Sequence, residues 1–268
     1  MATILGIYAH PDDEAFGTGG IYSKYAAEGH QVYLICATRG ENGKITDPDI
    51  DPQTPIGPLR EGELKAACLA MGIHEPIFLD YHDSGRFERS QHHNPKALMH
   101  ADIFALEQDL LKHIEQLKPD VILTFDPHGI YGHIDHIIIH RAATAAFWSA
   151  GNVLADKAPK RLFYNVMPTE RMRVFQQMRP NSPLSNLNVD LYGASEASIA
   201  IRIDVSAYLE QKLAAVRSHR SQVGPQSSFA QVNNTDWQRM FTEETLSLGG
   251  LRGSFPTMPT DDLLAAIT

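Results

Sequence analysis

The first half of the chain alternates between short apolar runs and longer amphipathic stretches. Residues 4–9 (ILGIYA) form a brief run with β-branched members, which predicts a buried strand. A Gly-rich turn follows (Gly17, Gly19, Gly20), then a helical stretch to about Glu28 that Gly29 ends. Residues 31–37 (QVYLICA) predict a second strand, and Thr38 to Pro58 a long loop rich in Gly, Pro and Asp. Residues 59–71 have the spacing of a helix closed by Gly72, and 76–79 lead into a third strand. Residues 97–118 predict a long helical stretch ended by Pro119, 120–125 (DVILTF) a fourth strand and 134–149 a further helix.

Strand and helix thus alternate four times, the pattern of a mostly parallel, Rossmann-like α/β sheet with helices on both faces. The second half is less regular. Residues 161–166 and 199–205 read as strands and 206–218 as a helix. Residues 167–198 and 221–260, rich in Pro, Asn, Ser and Gly, read as loops or a lid. No internal repeat or low-complexity linker divides the chain. The expectation is one domain over residues 1–268, with a regular core at 1–150 and a loop-rich C-terminal part at 151–268.

In such a sheet ligands bind beyond the carboxyl ends of the strands. The loops there carry His10 to Glu14, Thr38 to Gly43, Tyr81 to Gly85 and Asp126 to His136, which are also the loops densest in polar residues. Composition narrows the chemistry. The net charge of −9, with no Lys/Arg run, argues against nucleic acid as a partner. No apolar run approaches the ~20 residues of a membrane span, and MATILGIYAHPDDE does not read as a signal peptide, so a cytoplasmic protein is expected. The two cysteines, Cys36 and Cys68, lie in apolar stretches and read as buried free thiols. The glycines of the first turn do not fit the dinucleotide fingerprint, so no nicotinamide cofactor is expected.

Histidine is the unusual count, at 13, and its clustering matters more than its number. In the first loop two adjacent carboxylates, Asp12 and Asp13, follow His10 and Pro11. Adjacent side chains leave a turn in different directions, so one carboxylate can bind a metal while the other faces a reacting water. The competing reading is a helix cap, a common place for Asp. The loop DPHGIYGHIDHIIIH supplies His128, His133, Asp135, His136 and His140. His128 and His140 stand at its margin and read as solvated or core histidines; His133 and His136 read as functional. His10, a carboxylate and one of these histidines make the two-His, one-carboxylate set of a catalytic zinc site. Asp135 can orient His133 or His136. A metal-activated water, a free carboxylate and a nearby His add up to hydrolysis.

These residues also carry a resemblance. AHPDDE after the first strand and GIYGHIDH after the fourth are similar to the two metal motifs of the LmbE-like, or PIG-L, family of zinc-dependent N-deacetylases. TRGENG, REGELKAA, HDSG and KLAAVRSHRSQ match further family segments in order, so the resemblance covers most of residues 1–222. It implies a Rossmann-like fold and removal of the acetyl group from an N-acetylglucosaminyl small molecule or its conjugate. It implies zinc, with iron(II) or another divalent ion able to use the same ligands, held by His10, Asp13 and His136. Asp12 would be the general base. His133, held by Asp135, and Tyr131 would face the carbonyl oxygen, and Arg60 and Asp83 would hold sugar hydroxyls. Glu14 is a helix N-terminal residue or a support behind the site. Three alternatives stay open: an amidase acting on a thiol-sugar conjugate, a non-haem iron enzyme with the same triad, and a non-catalytic sugar-binding protein. The sequence also leaves homo-oligomerisation open.

Overall fold

The structure, a computed structural model, describes residues 1–86, 89–180, 182, 184–225, 227 and 234–267. Its centre is a seven-stranded sheet in the order β3-β2-β1-β4-β5-β7-β6. Strands β1 (Thr3–Tyr8), β2 (Gln31–Thr38), β3 (Ile77–Tyr81), β4 (Val121–Phe125) and β5 (Arg161–Asn165) run parallel. Strand β7 (Glu243–Leu251) is antiparallel to both β5 and β6 (Ile199–Asp204). Helices α1 (Asp13–Ala27), α2 (Ile56–Met71), α3 (Ile103–Leu117) and α5 (Ile134–Leu154) lie close to the predicted spans. One apolar core runs from Ile4 to Leu263 and contains both cysteines as free thiols. Among the described residues no helix is long and apolar enough to cross a membrane.

Four local expectations change. The glycines at 17, 19 and 20 are not a turn: α1 runs through them from Asp13. Their smallness serves packing, since a Cβ on Gly20 would sit 2.6 Å from Val205, and Gly17 faces the Asn165 amide. The Gly20 and Ile21 N–H groups donate to the Glu244 carboxylate at 2.9 and 2.7 Å, and Lys212 Nζ completes that buried pair at 2.5 Å. Gly20→Ala is therefore expected to lower stability by about 1–3 kcal/mol through overpacking, read as a fall in the urea midpoint.

The stretch 97–118 breaks after a short helical turn, Leu98–His100, because Asp102 caps α3 by accepting the Phe104 and Ala105 N–H groups. The segment 221–260 is not all loop. It holds α10 (Asn234–Phe241) and β7, the longest strand, while residues 226 and 228–233 lie outside the described set. The β7 pattern is hidden by Gly249 and Gly250, which admit the rings of Tyr164 and Phe147, and by Glu244, buried by a partner from elsewhere in the chain. Residues 167–198 likewise contain α6 (Thr169–Met178) and α7 (Val189–Tyr192), with 181 and 183 outside the described set.

Candidate metal centre

The loops after β1, β2, β3 and β4 meet at one sheet edge. His10 leaves β1, Pro11 and Asp12 turn the chain, and Asp13 and Glu14 open α1, where the helix dipole favours carboxylates. After β4, the short helix α4 (Gly129–Gly132) carries Tyr131, and His133 caps α5.

Three donor groups converge. His10 Nδ1 lies 3.2 Å from His136 Nε2. Asp13 adds its carboxylate, with Oδ2 3.6 Å from His10 Nδ1 and accepting the His10 N–H at 2.7 Å, and with Oδ1 3.3 Å from His136 Nε2. Donors bound tetrahedrally to zinc at roughly 2.0–2.1 Å stand about 3.3–3.4 Å apart, a spacing met by His10 Nδ1 against His136 Nε2 and by Asp13 Oδ1 against His136 Nε2. Each ring is also held on its far side. His136 Nδ1 is 3.1 Å from the Gly129 carbonyl, and His10 Nε2 is 3.0 Å from Asp135 Oδ2. Each of those nitrogens donates. Burial lowers the His10 pKa, but the Asp83, Asp13 and Asp135 carboxylates raise it well above the ordinary imidazole value, so His10 Nδ1 keeps a proton that His136 Nε2 accepts, and a cation would have to displace that proton to meet both nitrogens. Asp135 was expected behind His133 or His136; its carboxylate instead backs His10 and accepts the Ser84 N–H at 2.9 Å.

His133 is close enough to be a fourth ligand, since His10, His133 and His136 offer nitrogens within 4.8 Å of one another. Its own bond argues otherwise. His133 Nδ1 accepts the Asp135 N–H at 3.2 Å, so the neutral ring carries its proton on Nε2 and is a donor there. Burial, then the neighbouring His10 and His136, push its pKa down to about 2, which keeps it neutral. Burial likewise lowers His136 to about 4, against the pull of Asp13. A second group of four, His10, Asp83, His133 and Asp135, lies on the Nε2 side of His10 and is the carboxylate backing of that ring.

The Asp12 carboxylate is turned to Arg60, with Oδ2 3.2 Å away. Burial raises its pKa to about 6; Arg60 opposes the rise and Asp13 adds to it. Tyr131 packs edge-on to His136, ring centroids 5.0 Å apart, beneath the Arg86 guanidinium at 4.8 Å. Burial raises its phenol pKa, so it stays protonated. Arg60 and Asp83 were expected on sugar hydroxyls, yet they are only 3 % and 5 % exposed. Arg60 donates to the Pro11 and Gly40 carbonyls, and its buried Nε has no partner among the described residues. Asp83 accepts the Gly85 and Asn42 N–H groups at 2.8 and 3.1 Å. Both tie the loops to one another around His10. His140, with Nδ1 2.7 Å from the Phe125 carbonyl, is a core histidine, as the sequence suggested.

The residues fit a divalent cation. Asp13, Asp83 and Asp135 all lie within 3.6 Å of the His10 ring, while Arg60 is directed at Asp12. Three carboxylates around one imidazole make a region of excess negative charge, which a divalent cation would offset. The sequence named His219 and Ser221 only within the Lys/His/Ser-Gln pattern of KLAAVRSHRSQ, and it assigned them and Glu63 no role. KLAAVRSHRSQ signalled that segment, but its partners Glu14 and Glu63 become visible only once α8 (Leu209–Ser218) docks on α1 and α2.

An α/β sheet with a cluster of His and Asp side chains at its carboxyl edge defines the class, an enzyme fold with a group that could hold a metal at the strand ends. The family described as PIG-L, GlcNAc-PI de-N-acetylase, matches residues 5–147. A 1D-myo-inositol 2-acetamido-2-deoxy-alpha-D-glucopyranoside deacetylase of Thermomonospora curvata is 34% identical over 275 residues, covering 93% of this chain and 91% of its own. Another of that name, from Thermobifida fusca, is 30% identical over 279 residues, covering 96% of each. The chain belongs to the PIG-L family. Among solved structures, N,N'-diacetylchitobiose deacetylase from Pyrococcus horikoshii aligns with TM-score 0.56 at 20% identity, covering 92% of this chain and 83% of that one. The 4-carboxy-2-hydroxymuconate hydratase GalB of Pseudomonas putida aligns with TM-score 0.59 at 15% identity, covering 96% of this chain and 99% of that one. The fold therefore carries more than one chemistry, and the site has to decide between them.

Proposed function

We propose that this protein is a metal-dependent N-deacetylase that removes acetate from an N-acetylglucosaminyl small molecule, leaving a free amine. One observation carries the reading: the imidazoles of His10 and His136 meet at 3.2 Å with the Asp13 carboxylate against both, while the adjacent Asp12 carboxylate is turned to Arg60 instead. His10, Asp13 and His136 are the ligands, and zinc suits their number and type. Zinc at this position supplies Lewis acidity, which acidifies water and polarises an amide carbonyl. Asp12 takes the proton of the attacking water and passes it to the departing nitrogen. The His133 Nε2–H and the Tyr131 hydroxyl stabilise the negative charge that develops on the carbonyl oxygen. Asp135 orients His10 and, through its own N–H, His133. Arg60 and Asp83 shape the loops that bound the sugar. The working unit is the whole chain, since the buried pairs behind the site reach as far as Glu244.

The relatives favour a glucosaminyl inositol as the particular substrate. Acetate release from N-acetylglucosaminyl inositol and from N,N'-diacetylchitobiose, with and without a chelator, tests the reading. Free amine is expected from at least one of them, abolished by the chelator and restored by added zinc. Turnover that survives complete metal removal would sink the scheme. The base must be ionised to work, so activity falls as pH drops through the Asp12 pKa. That pKa is about 6 before the positive charge of a metal is added, and the metal lowers it. The acid limb of kcat/KM is therefore expected at or below about pH 6; a limb well above that would assign the base to another group.

A further inference from the structure

We infer that His219 is a positioning residue for Asp12, acting through Glu14 from the far end of the chain. The kinetic part of this inference rests on the deacetylase reading, and the structural part does not. Asp12 has φ 115° and ψ −26°, a backbone region that side-chain-bearing residues rarely adopt. Something must hold it there. The Asp12 N–H donates to Glu14 Oε2 at 3.0 Å, and Arg60 grips the Pro11 carbonyl just before it. The other oxygen, Glu14 Oε1, lies 2.7 Å from His219 Nε2, across 205 residues of sequence. Glu14 is 1 % exposed and His219 0 %.

His219 is itself fixed. It joins α8 to the short helix α9 (Arg220–Val223), and its carbonyl accepts the Gln222 and Val223 N–H groups. The Ser221 N–H and hydroxyl donate to the two Glu63 oxygens at 2.6 and 2.7 Å, which docks α9 on α2. The Ser221 carbonyl in turn accepts the Thr46 N–H at 2.7 Å. His219 therefore meets Glu14 from a braced frame, and Glu14 meets Asp12.

Stability alone does not explain the pair. Two ionisable groups taken fully out of water are often no more stable than an apolar pair of the same volume. His219 Nδ1 is buried with no partner among the described residues, which costs further. What the pair does supply is direction. It leaves Glu14 one fixed orientation, with Oε2 on the Asp12 N–H, and so fixes the backbone that sets the direction of the Asp12 carboxylate.

The test compares His219→Leu, which cannot donate to Glu14, with His219→Gln, which can, in the full-length zinc-loaded protein. Displacing a reacting group by about an ångström is enough to cost roughly 100-fold, so the Leu variant is expected to lose about that much in kcat. Its metal content and KM should stay near wild type. The Gln variant is expected to lose less than about tenfold, the scale of one hydrogen bond. Crystal structures should show Asp12 relaxed to negative φ in the Leu variant and unmoved in the Gln variant. An unmoved Asp12 or an undiminished kcat in the Leu variant overturns the inference, as does a folded, metal-bound Gln variant as impaired as Leu. Should His219→Leu fail to fold, His219→Met reads the same link, because its flexible side chain fills the space but cannot donate to Glu14. Asp12 displaced there supports the clamp, and Asp12 in place refutes it. A wild-type enzyme without amide hydrolysis would end the deacetylase reading, while the φ of Asp12 in the variants would still decide the clamp.

Discussion

Asp12→Asn is expected to bind as much metal as the wild type and to lose roughly 10³–10⁴-fold in kcat, near the upper range for a general base. The geometry sends the two carboxylates of the acidic pair to different partners. Asp13 faces His10 and His136 at 3.6 and 3.3 Å, whereas the Asp12 carboxylate is turned to Arg60 at 3.2 Å. Asparagine has the same shape, accepts the same Arg60 contact through its carbonyl oxygen and keeps the backbone bond to Glu14. It cannot take a proton from water. KM should therefore stay within a few-fold, and the loss should fall on the chemical step. Elemental analysis with steady-state kinetics reads both quantities. Loss of metal would place Asp12 among the ligands, and a residual rate above about a tenth of wild type would take proton transfer away from it.

The second large effect is expected from His136→Ala, which should strip the metal and with it all measurable turnover. The site then keeps only one imidazole and one carboxylate, too few to hold zinc against water. The substitution also leaves the Gly129 carbonyl without its His136 partner, a fold cost of roughly 1–3 kcal/mol that is separable from the loss of metal. Two neighbours serve as controls. His140→Ala removes a buried ring bonded to the Phe125 carbonyl, and should cost stability while leaving the metal in place. His133→Ala should also keep the metal, because the ring presents a donor rather than a lone pair, yet it should lose rate. Full occupancy in His136→Ala, or an empty His133→Ala, would redraw the ligand set.

Much of the fold was readable because its cues are local. The apolar runs ILGIYA, QVYLICA and DVILTF need no distant partner to be recognised as strands, and their alternation with helices places the loops that follow them at one edge. Strand β7 was not readable. Glu244 looks exposed until Lys212 and the backbone of α1 surround it, and Gly249 and Gly250 look like a turn until aromatic rings are laid against them. The glycines of α1 misled for the same reason: a residue that makes room for a neighbour is indistinguishable, in sequence, from one that bends the chain.

For the site, the sequence by itself determined which chemistry was available and where along the sheet it would gather. His10, Asp12, Asp13, His133 and His136 had to meet, because each follows a strand at its carboxyl end. Only the tertiary structure decided what each does. The protonation of a ring nitrogen depends on what it touches, and those partners, Asp135 for His10 and the Gly129 carbonyl for His136, are set by packing. The same holds for Arg60, whose reach to Pro11 and Asp12 ties the loops together, and for His219, whose distance in sequence concealed its bond to Glu14. Residue identity and spacing specify the groups; the three-dimensional contacts between remote segments specify their protonation, their orientation and so their roles.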